Sequence, residues 1–173
     1  MNKTQNYFLI GPMGVGKTTI GRLLADLLEM SFYDSDREIE ASTGADIPWI
    51  FDVEGEEGFR ARESKMIDIL SSKQGIVLAT GGGAVLSAQN RANLKNRGQV
   101  IYLRATVTQQ YERTGRDRNR PLLNTDDPLE KINELMILRE PLYREIADFI
   151  IDTTRRSPKS VSQEIVRQLS ETS

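Results

Sequence analysis

The chain contains no cysteine and no histidine. Without a thiol there is no disulfide, no thiolate nucleophile and no Cys-bound zinc. Without an imidazole, a Ser-His-Asp triad and the usual His-built metal centres are excluded. Any general base must be Asp, Glu, Lys or Tyr. No apolar stretch approaches the roughly 20 residues of a membrane span. An apolar β-rich run begins by Tyr7, which leaves no room ahead of it for a signal peptide, so a cytoplasmic location is expected. Positive charge is not in excess either. With a net charge of −2 and a pI near 5.4, the chain has no global basic field to recruit nucleic acid.

What remains suits one soluble domain spanning residues 1–173. Its 173 residues, 38% hydrophobic and 28% charged, are enough to enclose a core. The cations are lopsided, 16 Arg against 7 Lys. Guanidinium forks suit a bidentate grip on carboxylate and phosphate, although much of such a bias is ordinary solvated surface.

Residues 11–18 read Gly-Pro-Met-Gly-Val-Gly-Lys-Thr and fit G-x-x-x-x-G-K-[ST] at every fixed position. In this pattern glycines let successive N–H groups turn inward as an anion cradle. Lys17 then reaches the β- and γ-phosphates, and the Thr18 hydroxyl can ligate Mg²⁺. The context strengthens the match. Tyr7-Phe8-Leu9-Ile10 reads as a strand, and Thr19 to Leu28 carries apolar residues at helical spacing. The phosphates of a nucleoside triphosphate would thus sit at a helix N-terminus, which favours negative charge.

Short apolar runs alternate with helical patterns along the rest of the chain. Strands are expected at 31–33, 76–79, 99–103 and 149–151 after the one at 7–10. Helices are expected from Ile47 behind an Asp46 cap, over 56–70, 87–95, 106–114 and 128–146, and after a Ser157 cap. Pro141 should kink or break the long helix locally. This alternation predicts an α/β fold, a central parallel five-stranded sheet covered on both faces, with ligands beyond the carboxyl ends of the strands.

Three strand ends carry unusual chemistry. One is the Gly-rich loop. Asp34 and Asp36 form the second. If the backbone stays extended there they point the same way, and could serve Mg²⁺ and accept a hydroxyl proton. A turn plus a helix N-cap is the alternative. The third is Gly81-Gly82-Gly83, which lets main-chain N–H groups approach a ligand without an intervening Cβ. No aspartate ends the 76–79 strand, which weakens an ATPase-motor or switch-GTPase reading. Arg116, Arg118 and Arg120 lie in a polar segment closed by Pro121, suited to a lid that brings a cation to a transferring phosphoryl group. Arg60 and Arg139 are isolated, and pattern alone reads them as surface or ion-pairing residues. Trp49 and Phe51 read as core, with Trp49 also able to line a sugar-like ring.

Together these pieces resemble the shikimate kinase family, in its bacterial, enterobacterial type I form. The resemblance rests on the loop and Thr19, Phe-Tyr-Asp-Ser-Asp at 32–36, Gly-Glu-Glu-Gly-Phe-Arg at 55–60, Ala-Thr-Gly-Gly-Gly at 79–83, Arg-Pro-Leu-Leu at 120–123 and Arg-Glu-Pro-Leu-Tyr at 139–143. They occur in family order across most of the chain. The resemblance implies a three-layer α/β/α P-loop kinase fold with substrate-binding helices at about 35–62 and a lid at about 113–126. It implies ATP-dependent phosphorylation of the shikimate 3-hydroxyl by a monomer that binds neither nucleic acid nor membrane. By the same resemblance Gly14, Val15, Gly16, Lys17, Thr18 and Thr19 hold ATP, Arg120 covers its phosphates, and Arg113 and Arg156 lie on the adenine side. Thr18 and Asp34 serve Mg²⁺. Asp36 orients or deprotonates the attacking hydroxyl, Arg60 and Arg139 clamp the carboxylate, and Gly81, Gly82 and Gly83 supply backbone contacts. The nearest rival is another metabolite kinase such as gluconate kinase, which needs no paired arginines on one carboxylate. A regulatory nucleotide switch would need a guanine-reading Asn-Lys-x-Asp motif, and none is present.

Overall fold

Residues 4–114, 123 and 125–172 are described in a computed structural model of the chain. Five strands, β1 (Tyr7–Ile10), β2 (Ser31–Asp34), β3 (Ile76–Ala79), β4 (Gln99–Arg104) and β5 (Phe149–Asp152), form one sheet in the order β2-β3-β1-β4-β5. All four pairings are parallel. The register places Tyr7 beside both Val77 and Gln99, so the strands end nearly level at their carboxyl edge. Alternation assigns the faces. Tyr7, Leu9, Val77, Ile101 and Leu103 pack with α1 (Lys17–Leu28) and α7 (Pro158–Thr172). Phe8, Ile10, Leu78, Val100 and Tyr102 face the other way, toward α3 (Ile47–Ser71), α4 (Ala88–Arg97) and α6 (Pro128–Ile146). The expected three layers are present, and both sheet faces are dry.

The long helices follow local signals. Asp46 caps α3 by accepting from Trp49 N at 2.9 Å, and Ser157 accepts from Ser160 N at 3.1 Å. Gly55, at φ 74° and ψ 176°, breaks α3 into the two expected segments. A bidentate pair, Arg62 to Glu54 at 2.6 and 3.0 Å, spans that break. The expected interruption at Pro141 does not occur, for α6 continues through it. The carbonyl deprived of a donor is that of Ile137, and Ile137 is 71% exposed, so water can take the place of the missing N–H. Trp49 also departs from expectation. It is 56% exposed, because Ile47, Ile50 and Phe51 are the residues of this stretch that face the small cluster around Ile39 and Phe59.

The amino edge of the sheet is held by Asn6. It is 3% exposed. Its Nδ2 donates to Lys73 O at 2.6 Å and Arg97 O at 3.3 Å, and its Oδ1 accepts from Ile76 N at 3.1 Å. One amide thereby ties β1 to the starts of β3 and β4. Asn6→Leu keeps the branched, four-heavy-atom shape of the side chain and leaves these backbone groups without their partners. It is expected to cost about 2–4 kcal/mol and to lower the Tm by roughly 5–15 °C in a thermal melt. A shift below about 2 °C would mean that the clamp is dispensable.

Candidate active site

At the carboxyl edge the chain leaves β1 as the Gly-rich loop and enters α1. Gly16 is the residue that makes this possible. It caps α1 at φ 92° and ψ 28°, a left-handed conformation that glycine adopts without cost, and no side chain fills the cap. The first turn of α1 also lacks an acidic residue. The helix N-terminus thus keeps its N–H groups and its positive dipole end for an anion. Lys17 Nζ donates to Gly11 O at 2.7 Å and Pro12 O at 2.8 Å, across the mouth of the loop. Val15 is wholly buried and anchors the loop in the core.

A cleft of about 290 Å³ opens here, bounded by Gly14, Lys17, Thr18 and Thr19 on one side and by Asp34, Asp36, Gly81 and Gly82 on the other. Thr18 Oγ1 donates to Asp34 Oδ2 at 2.5 Å. The other Asp34 oxygen accepts from Arg37 N at 3.2 Å and caps α2 (Ser35–Thr43). Asp34 is thus the helix N-cap of the alternative reading, and its second oxygen stays on Thr18 at the cleft. The assumption of extended backbone through Asp36 fails. Once capped by Asp34 the chain turns helical at Ser35, and Asp36 stands in the first turn of α2. Both carboxylates still face the cleft, by way of a strand end and a helix start.

The donor set here is a hydroxyl and carboxylates, hard oxygen ligands that fit Mg²⁺. Among the described residues no group of three or more His, Cys, Asp or Glu could cage a metal.

The wall beyond Gly82 carries two arginines. A Cβ at Gly83 would lie 2.5 Å from both terminal nitrogens of Arg60, and one at Gly82 would lie 3.5 Å from Arg139 Nη1. One at Gly81 would lie 2.9 Å from Asp36 Oδ1 and Glu63 Oε2. Gly81 and Gly83 thus leave room for charged side chains that a Cβ would push aside, whereas a Cβ at Gly82 would meet only ordinary contacts. Arg60 comes from α3 and Arg139 from α6, where it is 3% exposed. These two isolated arginines meet on one glycine turn.

Glu63 was not foreseen. It is 1% exposed and accepts from Arg60 Nη1 at 2.9 Å. Burial pushes its carboxyl up, and Arg60, then Arg139, pull it back down. Burial likewise lowers Arg139, against the Tyr143 hydroxyl, which favours the cation. The two guanidinium groups thus stand beside the carboxylates of Glu63 and Asp36, cation against anion on one turn. Arg60 Nε and Arg139 Nε are buried with no hydrogen-bond partner among the described residues. The signal that could have exposed Glu63 is its spacing from Arg60, an i,i+3 pair on one face of a helix.

Arg113 reaches the loop from α5 (Val107–Thr114) and donates to Gly14 O at 3.0 Å. Arg156 is set apart from the cleft. It lies after β5 and is tied to Asp152 O at 3.2 Å, to Glu164 and to Ser160. Arg116, Arg118, Arg120 and Pro121, and with them most of the expected lid, lie outside the described residues.

The α1 N-terminus offers N–H groups that suit phosphates, and the space between the aspartates and the paired guanidinium groups suits a second, anionic molecule. A fold and cleft with that division of labour define a P-loop kinase of small molecules. The family model "Shikimate kinase" matches residues 13–170. A shikimate kinase from Thioalkalivibrio sulfidiphilus is 59% identical over 167 residues, covering 96% of this chain and 88% of that relative. One from Shewanella sediminis is 56% identical over 169 residues, covering 98% and 99%. The solved shikimate kinase from Acinetobacter baumannii, in complex with shikimate, superposes with a TM-score of 0.96 at 50% identity, covering 98% of this chain and 94% of that one. The chain belongs to the shikimate kinase family.

Proposed function

We propose that the protein transfers the γ-phosphoryl group of ATP to the 3-hydroxyl of shikimate, yielding shikimate 3-phosphate and ADP in aromatic amino acid biosynthesis. The observation that carries this reading is the meeting of Arg60, Arg139 and Asp36 on Gly81–Gly83 beside the Gly-rich loop. Shikimate is a small anionic triol. Its carboxylate calls for guanidinium forks and its hydroxyls for a carboxylate acceptor.

In this reading Lys17 and the amides from Gly14 to Thr19 hold the β- and γ-phosphates. Lys17 exchanges its loop carbonyls for phosphate oxygens, so the charge it brings is neutralised as the nucleotide arrives. Thr18 and Asp34 would hold Mg²⁺. When bound, the ion neutralises charge developing on the phosphate oxygens. Arg60 and Arg139 hold the acceptor carboxylate, the Glu63 carboxylate holds Arg60, and Asp36 takes the proton of the attacking hydroxyl. Arg113 lies at the nucleotide end, where it can face the base, and we place Arg156 on the adenine side. Arg120, from the lid at 113–126, would cover the phosphates. Residues 35–62 act as the acceptor cap, and the enzyme acts as a cytoplasmic monomer. Positioning and charge neutralisation are what phosphoryl transfer mainly requires.

The test is a coupled assay of ADP release with Mg·ATP, with and without shikimate, and with gluconate for comparison. Turnover is expected to depend on shikimate by at least about 10²-fold and to ignore gluconate. ATP turnover indifferent to shikimate would leave the kinase class and remove this acceptor.

A further inference from the structure

The main chain of the Gly81–Gly83 turn is pinned in a definite pattern. Gly81 N donates to Ser35 Oγ at 3.2 Å. Gly81 O accepts from Ala84 N and Gly83 O from Leu86 N, each at 3.1 Å. Gly82 O accepts from the Tyr143 hydroxyl at 2.5 Å. Among the described residues the amides of Gly82 and Gly83 donate to nothing. These two N–H groups remain for a ligand because every neighbouring polar group of the turn is already engaged.

Tyr143 is unusual in this arrangement. It is wholly buried, and its ring stacks on Tyr102 with centroids 5.0 Å apart. Packing alone would be met by phenylalanine, and burying a hydroxyl costs free energy unless it finds a partner. The hydroxyl is aimed at the one glycine carbonyl that no backbone N–H takes. Tyr143 also lies one helical turn beyond Arg139 on α6, so both side chains occupy the same face. That face meets Gly82 twice, through the Tyr143 hydroxyl and through Arg139 Nη1.

We infer that Tyr143 is a positioning residue: its hydroxyl fixes the distance between the Gly82 main chain and the Arg139 guanidinium, and so sets the grip on the acceptor carboxylate. The inference rests on the acceptor reading above. Without the hydroxyl, Gly82 O loses its donor, the turn can rotate, and the Gly82 amide and Arg139 no longer address one carboxylate together.

Tyr143→Phe keeps the ring and its stack. It is expected to raise the shikimate KM about fivefold to twentyfold. The ATP KM should stay within about twofold and kcat within about threefold. KM does not depend on the fraction of active enzyme, so partial loss of folded protein does not blur the result. The methyl ester of shikimate, which lacks the anionic carboxylate, provides a second readout as a competing ligand. Its Ki should change by less than about twofold, since Arg139 has no charge there to hold. Tyr143→Met, which lacks the hydroxyl and the ring, should reproduce the pattern if the Phe variant does not accumulate. An unchanged shikimate KM overturns the inference. So do equal rises for shikimate and its ester, or for shikimate and ATP, since a general loosening of the core produces those. Wild-type enzyme without shikimate-dependent turnover would instead sink the acceptor reading itself.

Discussion

Asp36→Asn is expected to lower kcat by about 10²- to 10⁴-fold while leaving the Kd for ATP within about threefold. The two halves of this expectation have separate structural causes. Asp36 stands in the first turn of α2, against Gly81 on the acceptor side of the cleft. In the proposed reaction its carboxylate takes the proton from the attacking hydroxyl as the oxygen bonds to phosphorus. Asparagine has the same size and still accepts a hydrogen bond, yet its amide cannot take a proton at neutral pH. With no histidine in the chain, no neighbouring imidazole can replace it. Nucleotide affinity belongs to other groups: the Gly-rich loop, Lys17 and the α1 N-terminus. Turnover by single-turnover quench and ATP binding by calorimetry separate the two effects. Near-wild-type turnover would remove Asp36 from proton transfer.

Arg139→Ala is expected to raise the shikimate KM by about 10²-fold, with less than about threefold change in the ATP KM. The guanidinium is almost fully buried, and its Nε has no hydrogen-bond partner among the described residues. Its Nη1 lies against Gly82, at the proposed acceptor space. Truncation removes a charge-assisted contact in a place where water is a poor substitute. It also removes one of the cations that hold the Glu63 carboxyl down, so part of the loss should come from a weakened Arg60. Arg139→Lys keeps the charge without the fork, and an intermediate KM is expected. Steady-state kinetics over both substrates decide the matter. An unchanged shikimate KM would take Arg139 out of the acceptor site.

Sequence logic reached the elements whose causes are local. The Gly-rich loop, the Asp46 and Ser157 caps, the break at Gly55 and the alternation of strands and helices each depend on residues a few positions apart, and each appears in the structure. The failures share a different cause. Arg60 and Arg139 are far apart in sequence, and only the packing of α3 and α6 against the turn after β3 brings them to Gly83 and Gly82. Their family resemblance pointed to them, whereas their own surroundings in sequence did not. Glu63 sits in a stretch crowded with charge, where its i,i+3 spacing from Arg60 points to a pair but not to its burial. At Asp34 and Asp36 the condition of extended backbone is not met, and the helix-cap alternative describes the chain. A side chain that caps its own helix ends the extended backbone at the cap. Trp49 was read as core from residue type alone, and its helix turns it outward.

The clamp at Asn6 has a further consequence for how such a molecule can change. The ties that register β1, β3 and β4 lie before the strands begin, at the pole opposite the cleft. Most of the groups proposed to meet ligands are carried by the segments that follow β1, β2 and β3, with Arg113 and Arg139 added from the helices after β4. Durability and selectivity are thus written into opposite ends of the same strands. Alterations at the catalytic pole can accumulate, redirecting the cleft toward a different alcohol, while the anchoring pole keeps the scaffold intact. A lineage built on this plan can diversify its chemistry without first surviving an unstable ancestor.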